Sequence, residues 1–287
     1  LLSCFVILSV FFIKLVHMKA RILKKTLFLI VLIFTPLSAQ ELVTSIVVGG
    51  VTENSARFRI QLSDSAEVNV ELSTSVDFAD VIKGLPETAE STNNFAVIVT
   101  ASGLLPNTLY YYRALINNET DEFQFRSFKT FPMPGTKDVF SFAFGSCQQS
   151  GKFLPSDTGA GNVFREIVKH DIRFFLQLGD WTYPDTTDLL PLFSNFFSSK
   201  YSAVLESYRN KFNKVYPMDS LLRRMPVDYV YDDHDYMNNN SSALTSSFYI
   251  PNRPSVLGED FLALEFANPA GARENSIKGY KNNFPIL

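Results

Sequence analysis

From Glu41 to about Phe131 the chain alternates between apolar and polar residues in short runs. The stretches "SARFRIQL" and "AEVNVELS" place Ala56, Phe58, Ile60 and Leu62, then Ala66, Val68, Val70 and Leu72, on one side of a period-two chain. "NFAVIVTA", "TLYYYRALI" and "EFQFRSFKT" continue the texture, and turn-forming stretches such as "GGVTENS", "KGLPETAE" and "GLLPNT" separate them. Roughly 90 residues of this pattern predict an antiparallel β-sandwich. No charged or His cluster with ligand spacing falls within it, so a structural or positioning role is expected of residues 40–133.

The link "FPMPGTKD" leads into a different pattern. "VFSFAFGSC" is a nearly continuous apolar run, as expected of a strand covered on both faces. "NVFREIVKH" has helical spacing at Val163, Phe164, Ile167 and Val168, and "IRFFLQLGD" reads as a second buried strand. "LLPLFSNFFSSKYSAVLESYRNKFNKVY" is long enough for one or two helices, and "PVDYVYDDHD" reads as a third strand. Strand, helix, strand, helix, strand predicts an α/β layered sheet with parallel neighbours over residues 134–287. Beyond it, "EDFLALEFA" is expected to form one more helix after an Asn/Ser-rich connector.

The start of the chain belongs to neither part. After Met18, basic "KARILKK", apolar "TLFLIVLIF" and small-residue "TPLSA" have the order of a secretory signal peptide, with cleavage expected after Ala39. Residues 1–17 are read as translated upstream sequence; the rival reading, a membrane-embedded segment over residues 1–34, is interrupted by Lys14, Lys19, Arg21, Lys24 and Lys25. The mature chain would be exported, to a periplasmic, cell-surface or extracellular location, with no membrane attachment after cleavage. Its 29 acidic residues would face five fewer basic ones than the whole chain's 26, a net charge of −8, which is not the balance of a nucleic-acid-binding protein. Cys147 would be its lone cysteine. That excludes a disulfide within one chain and leaves a small buried hydrophobe, an intermolecular partner or a reactive or ligating thiolate.

Polar groups gather at the strand ends. Cys147 follows the first, Asp180 the second, and Asp232, Asp233, His234 and Asp235 the third, which is the edge where α/β sheets bind ligands. Several neighbouring carboxylates are costly to bury without a positive charge, and "LGDWTYPD" and "YDDHDYMNNN" contain neither Lys nor Arg. A metal cation is the simplest answer. Thiolate with carboxylate and phenolate favours a transition metal such as iron, whereas carboxylate and Asn oxygens favour Ca²⁺ or Mg²⁺. The mixed set suggests two unlike metals sharing Asp180, a pair able to generate hydroxide at neutral pH and to clamp phosphoryl oxygens.

"FAFGSCQ", "FFLQLGDWTYPD", "SYRNKF" and "MPVDYVYDDHDYMNN", in this order, resemble the PhoD-like alkaline phosphatases and phosphodiesterases of the metallophosphoesterase superfamily. The resemblance implies a fibronectin type III-like sandwich ahead of a layered metallophosphoesterase domain, and metal-dependent hydrolysis of phosphate monoesters or diesters by a metal-activated hydroxide. It implies that Cys147, Asp180 and Tyr183 bind Fe³⁺, that Asp180 bridges to Ca²⁺, and that Asn238 ligates the second metal. Asp232, Asp233 and His234, with Asp185, would support these ligands, Asp233 and His234 being the catalytic candidates. Asp235 stands where the family more often has Glu. The family's later GDxH-like element has no counterpart before Leu287, so the chain is expected to be an N-terminal fragment. A non-catalytic surface-binding protein is the alternative. A two-His, one-carboxylate iron oxygenase cannot be assembled from His170 and His234. Substrate identity and oligomeric state are not legible.

Overall fold

Alternation along the first part of the chain becomes two antiparallel sheets. The computed structural model describes residues 40–121, 125–147, 160–181, 200–212, 218–232, 235 and 272–286. One sheet has the order β1 (Val47–Gly49), β2 (Ser55–Gln61), β6 (Ala96–Ser102). The other is built on β3 (Ala66–Ser73) and β7 (Leu109–Ile116), with β4 (Ile82–Lys83) and β5 (Glu87–Ala89) along β3, and β8 (Glu119–Thr120) and β9 (Ser127–Lys129) along β7. The period-two apolar sets meet between the sheets, where Phe58, Val68, Val70, Leu72, Val99 and Tyr112 are fully buried. Phe58 packs on Tyr112 at 5.2 Å and on Phe128 at 5.6 Å, both in tilted or edge arrangements that suit the ring quadrupoles.

The third sheet is parallel, as expected, in the order β10 (Ser141–Gly145), β11 (Ile172–Gln177), β12 (Val227–Tyr229). Helix α1 (Ala160–Ile167) precedes β11, while α2 (Tyr201–Lys211) and α3 (Asp219–Leu222) precede β12. Helix α4 (Ala272–Asn283) packs against α2, and Gly279 lets them approach closely, since a Cβ there would lie 2.4 Å from Val204 Cγ1. One face of this sheet is covered by a core of Phe164, Phe175, Trp181, Tyr208, Phe212, Leu222 and Phe284.

The continuous apolar run at β10 does not give a strand buried on both faces. Among the described residues β10 is an edge strand of the sheet, and Phe142 and Phe144 are 48% and 65% exposed, with Phe142 stacked on Phe174 at 5.2 Å. The physical reason is local: the core packs against the opposite face, and the described residues leave these rings uncovered.

Residues Gln40–Leu287 form one compact unit in which the sandwich and the parallel sheet are joined closely. Gly50 N–H donates to Asp228 Oδ1 at 3.0 Å, Ser45 N–H to the Phe212 carbonyl at 2.8 Å, and Ser127 N–H to the Arg223 carbonyl at 2.8 Å. Tyr112 Oη–H reaches the Leu222 carbonyl at 3.3 Å, and the Ser45 hydroxyl donates to Asp219. Among the described residues, no helix is long and apolar enough to cross a membrane. The expected signal segment with Met18, and the expected helix at 259–267, lie outside the described residues.

Candidate metal centre

Parallel strands all end on the same edge, so the residues that follow them converge. Cys147 comes two residues after β10 and Asp180 three after β11, and Cys147 Sγ lies 3.4 Å from Asp180 Oδ2. The chain is held in this geometry by ladder extensions past the strands: Leu178 N–H donates to the Gly145 carbonyl at 2.7 Å and Cys147 N–H to the Gly179 carbonyl at 3.3 Å. Gln177 Nε2 donates to the same Gly179 carbonyl at 2.8 Å.

The turn is conformationally demanding. Cys147 and Asp180 both have left-handed backbones, with φ of 54° and 56°, a region that non-glycine residues adopt at a cost of roughly 1 kcal/mol or more. Gly179 between strand and ligand has φ of 91°, and a Cβ there would lie 2.3 Å from the Asp232 Cβ. Only glycine meets both demands. Strain at two converging donors marks a place where the backbone is shaped to aim side chains, not to relax.

What holds the turn is Asp235. Its side chain is buried, and its two oxygens accept three backbone N–H groups: Oδ2 from Asp180 at 2.8 Å and Asp232 at 3.3 Å, and Oδ1 from Trp181 at 2.8 Å. One carboxylate thus ties the end of β11 to the end of β12. Beneath it lies Trp181, fully buried among Phe212, Tyr229 and Phe284 at centroid distances of 5.9, 5.7 and 6.0 Å.

A positive charge reaches this floor from a distant segment. Lys211, the buried last residue of α2, places its Nζ 5.7 Å from the Trp181 ring centroid. Burial pushes the Lys211 ammonium down to about 7, and the Asp235 charge opposes the shift. Burial, and then the charge of Asp235, raises the Tyr229 phenol well above its ordinary value. The absence of Lys and Arg from the two motifs therefore does not mean absence of a cation in space. The signal was available in the sequence: Val204, Tyr208 and Lys211 share the buried stripe of α2, where a lysine is out of place.

Of the sequence-predicted ligands, the structure brings Cys147 and Asp180 together; Asp180 is 6% exposed and Cys147 is exposed. Tyr183, Asp185, Asp233, His234 and Asn238 lie outside the described residues. Among the described residues, no group of three or more His, Cys, Asp or Glu side chains is placed to hold a metal. The described pair fits a transition metal by its chemistry, a thiol and a carboxylate within one coordination distance of a common point. His170, just beyond α1, is exposed and lies 3.7 Å from Glu166, as a residue favouring a helix C-terminus would.

The solved structure of PhoD superposes on 88% of this chain and 48% of its own length, with a TM-score of 0.61 and 20% sequence identity. Alkaline phosphatase D of Bacillus subtilis (strain 168) is 26% identical over 185 residues, which are 62% of this chain and 30% of that protein. The chain shares the fold of PhoD and is similar in sequence to alkaline phosphatase D. No family model matches it. The chain spans less than half the length of the solved structure it resembles, and about a third of the curated relative. A weaker likeness, to the sensor domain of the anti-sigma factor RsgI4 in Pseudobacteroides cellulosolvens, covers 34% of this chain at a TM-score of 0.27.

Proposed function

We propose that this chain forms part of an exported, metal-dependent phosphoesterase that hydrolyses phosphate monoesters, diesters or both. The observation that supports the reading most is the approach of Cys147 Sγ to Asp180 Oδ2, on strained backbone at the ends of two parallel strands. In this reading Cys147, Asp180 and Tyr183 hold Fe³⁺, and Asp180 and Asn238 hold Ca²⁺. Such a pair supplies a hydroxide source at neutral pH and charge stabilisation for phosphoryl oxygens. Residues 40–133 are a fibronectin type III-like sandwich and residues 134–287 the portion of the phosphoesterase domain carried by this chain.

The chain's own groups have separable tasks. Asp180 presents a buried carboxylate toward the edge, and Cys147 presents a sulfur that is exposed for ligand approach. Asp235 fixes the main chain on which Asp180 sits, which keeps the carboxylate aimed without itself reaching the edge. Asp233 and His234, which flank that anchor in sequence, are assigned to orienting ligands and holding a proton near them.

The test is Asp180→Asn in the full-length protein. Hydrolysis of an aryl phosphate should fall by more than the ~10–100-fold typical of residues that only support a ligand, and iron content should fall with it. Retained hydrolysis would overturn the role given to Asp180. A wild-type protein that purifies without iron and hydrolyses no phosphate ester would instead be the non-catalytic surface-binding protein.

A further inference from the structure

The sandwich, expected from its sequence to be a structural or positioning module, reaches toward the site through one buried cation. Arg59 lies on β2 and is fully buried. Its Nη1 donates to Thr44 Oγ1 at 3.0 Å, and its Nη2 to Gln61 Oε1 at 2.8 Å and to Asn283 Oδ1, on α4, at 3.2 Å. Its guanidinium carbon lies 4.7 Å from the centroid of the Phe212 ring. A desolvated guanidinium over an aromatic face is a strong contact, and it lies at the C-terminal end of α2, the end that favours a cation.

That helix end is also gripped by backbone. The Phe212 carbonyl accepts the Ser45 N–H at 2.8 Å. Phe212 thus carries a sandwich hydrogen bond on its carbonyl and a sandwich arginine on its ring. Its other neighbours belong to the site: Phe212 packs on Trp181 at 5.9 Å, and the preceding residue, Lys211, approaches the same indole. Trp181 adjoins Asp180, and its backbone N–H donates to Asp235 Oδ1. The contacts run without a break from the sandwich, through the end of α2, to the floor under Asp180.

We propose that the β-sandwich is a positioning part of the site, acting through Arg59 on the Lys211–Phe212 end of α2, and that Arg59 is the positioning residue of that coupling. The effect on the Asp180 floor stands on geometry alone; the consequence for metal binding rests on the proposed function. Lysine cannot substitute, because a point ammonium on a flexible stem cannot stack on Phe212 while satisfying Thr44, Gln61 and Asn283.

The chain has one tryptophan, so Trp181 reports on the floor without labelling. The 287-residue chain is compared as wild type, Arg59→Lys, Arg59→Met and Tyr112→Phe. The last removes a different sandwich contact, to the Leu222 carbonyl, and serves as the control for a merely weakened interface. In metal-free protein, Arg59→Lys and Arg59→Met should make Trp181 more quenchable by acrylamide and shift its emission, while Tyr112→Phe leaves both unchanged. On titration with Fe³⁺, the Arg59 variants should need about tenfold more metal to quench Trp181. Should Arg59→Met fail to fold, Arg59→Lys carries the comparison. Unchanged Trp181 accessibility in Arg59→Lys, or the same change in Tyr112→Phe, overturns the coupling. If the Arg59 variants alter Trp181 but Fe³⁺ quenches no protein, wild type included, the coupling stands and the metal-dependent reading falls.

Discussion

In the sandwich, Phe58, Tyr112 and Phe128 meet between two antiparallel sheets and are fully buried within one apolar cluster. In the parallel sheet, Phe142 and Phe144 stand largely exposed, while Asp180, Asp235 and Lys211 are buried. The two regions therefore draw stability from different sources. Between its two sheets the sandwich relies on apolar burial, a non-directional effect that tolerates small rearrangement. The strand ends of the parallel sheet rely on directed hydrogen bonds to one carboxylate and on a charge brought from another helix, where any missing partner leaves a desolvated group behind. Substitutions in the apolar cluster of the first region, Arg59 lying outside it, should cost stability and little else. In the second they should disturb the geometry of the edge as well.

The sharpest way to break this contrast is Asp235→Ala. It removes the acceptor of three backbone N–H groups and leaves Lys211 buried without that carboxylate, so stability should fall by about 3–5 kcal/mol. Urea denaturation measures it. Val70→Ala, in the sandwich core, is the comparison: a loss of about 1–3 kcal/mol with iron content per chain unchanged. If Asp235→Ala costs no more than Val70→Ala and leaves iron content intact, the anchor role of Asp235 is wrong.

Gly179→Ala comes next. The Cβ would meet Asp232, and the left-handed φ adds strain, for an expected loss of about 1–3 kcal/mol and a raised iron requirement. Calorimetry and elemental analysis read the two effects.

The difference between the regions also decides what the sequence discloses. Ser55–Gln61 and Ala66–Ser73 are legible because alternation is a property of the strand itself. The convergence of Cys147 and Asp180 is legible for a related reason: parallel strands force their ends to one edge whatever the packing. Arg59, Lys211 and Asp235 were not read in these roles, because each acquires its part from residues far away in sequence. Lys211 stands out on the buried stripe of α2 but shows no role until Trp181 and Asp235 are placed beside it, and Arg59 looks like the polar half of an alternating strand until Phe212 covers it. The exposed rings of β10 mislead in the other direction, since an apolar run records residue type and not what lies over it.

Lys211 offers a finer test of the buried-charge side of the comparison. Its folded value of about 7 lies below the ordinary 10.5. Between those pH values the unfolded chain holds a proton that the folded chain does not, so this group makes stability rise with pH, by at most about 1.4 kcal/mol per unit. Below pH 7 both states are protonated and the contribution is flat. The stability of wild type relative to Lys211→Met, measured in urea at pH 6, 8 and 10, should therefore be constant up to about 7 and then climb. A difference that stays level to pH 10 would mean that Lys211 remains charged in the fold.

The smallest effect is expected where the parallel sheet looks most like an unfinished core. Phe142 and Phe144 are 48% and 65% exposed, and Phe142 stacks on Phe174 and lies 6.3 Å from the Phe144 ring. If that face meets water, Phe142→Ser and Phe144→Ser each change stability by less than about 0.5 kcal/mol, as surface substitutions do, and improve solubility. A cost of about 3 kcal/mol or more is what a buried Phe would show, and it would mean that the face is covered in solution. The sheet would then have two cores, and the contrast with the sandwich would be confined to its strand ends. The measurement is a urea titration of each variant beside Phe58→Leu, the sandwich ring whose burial is complete.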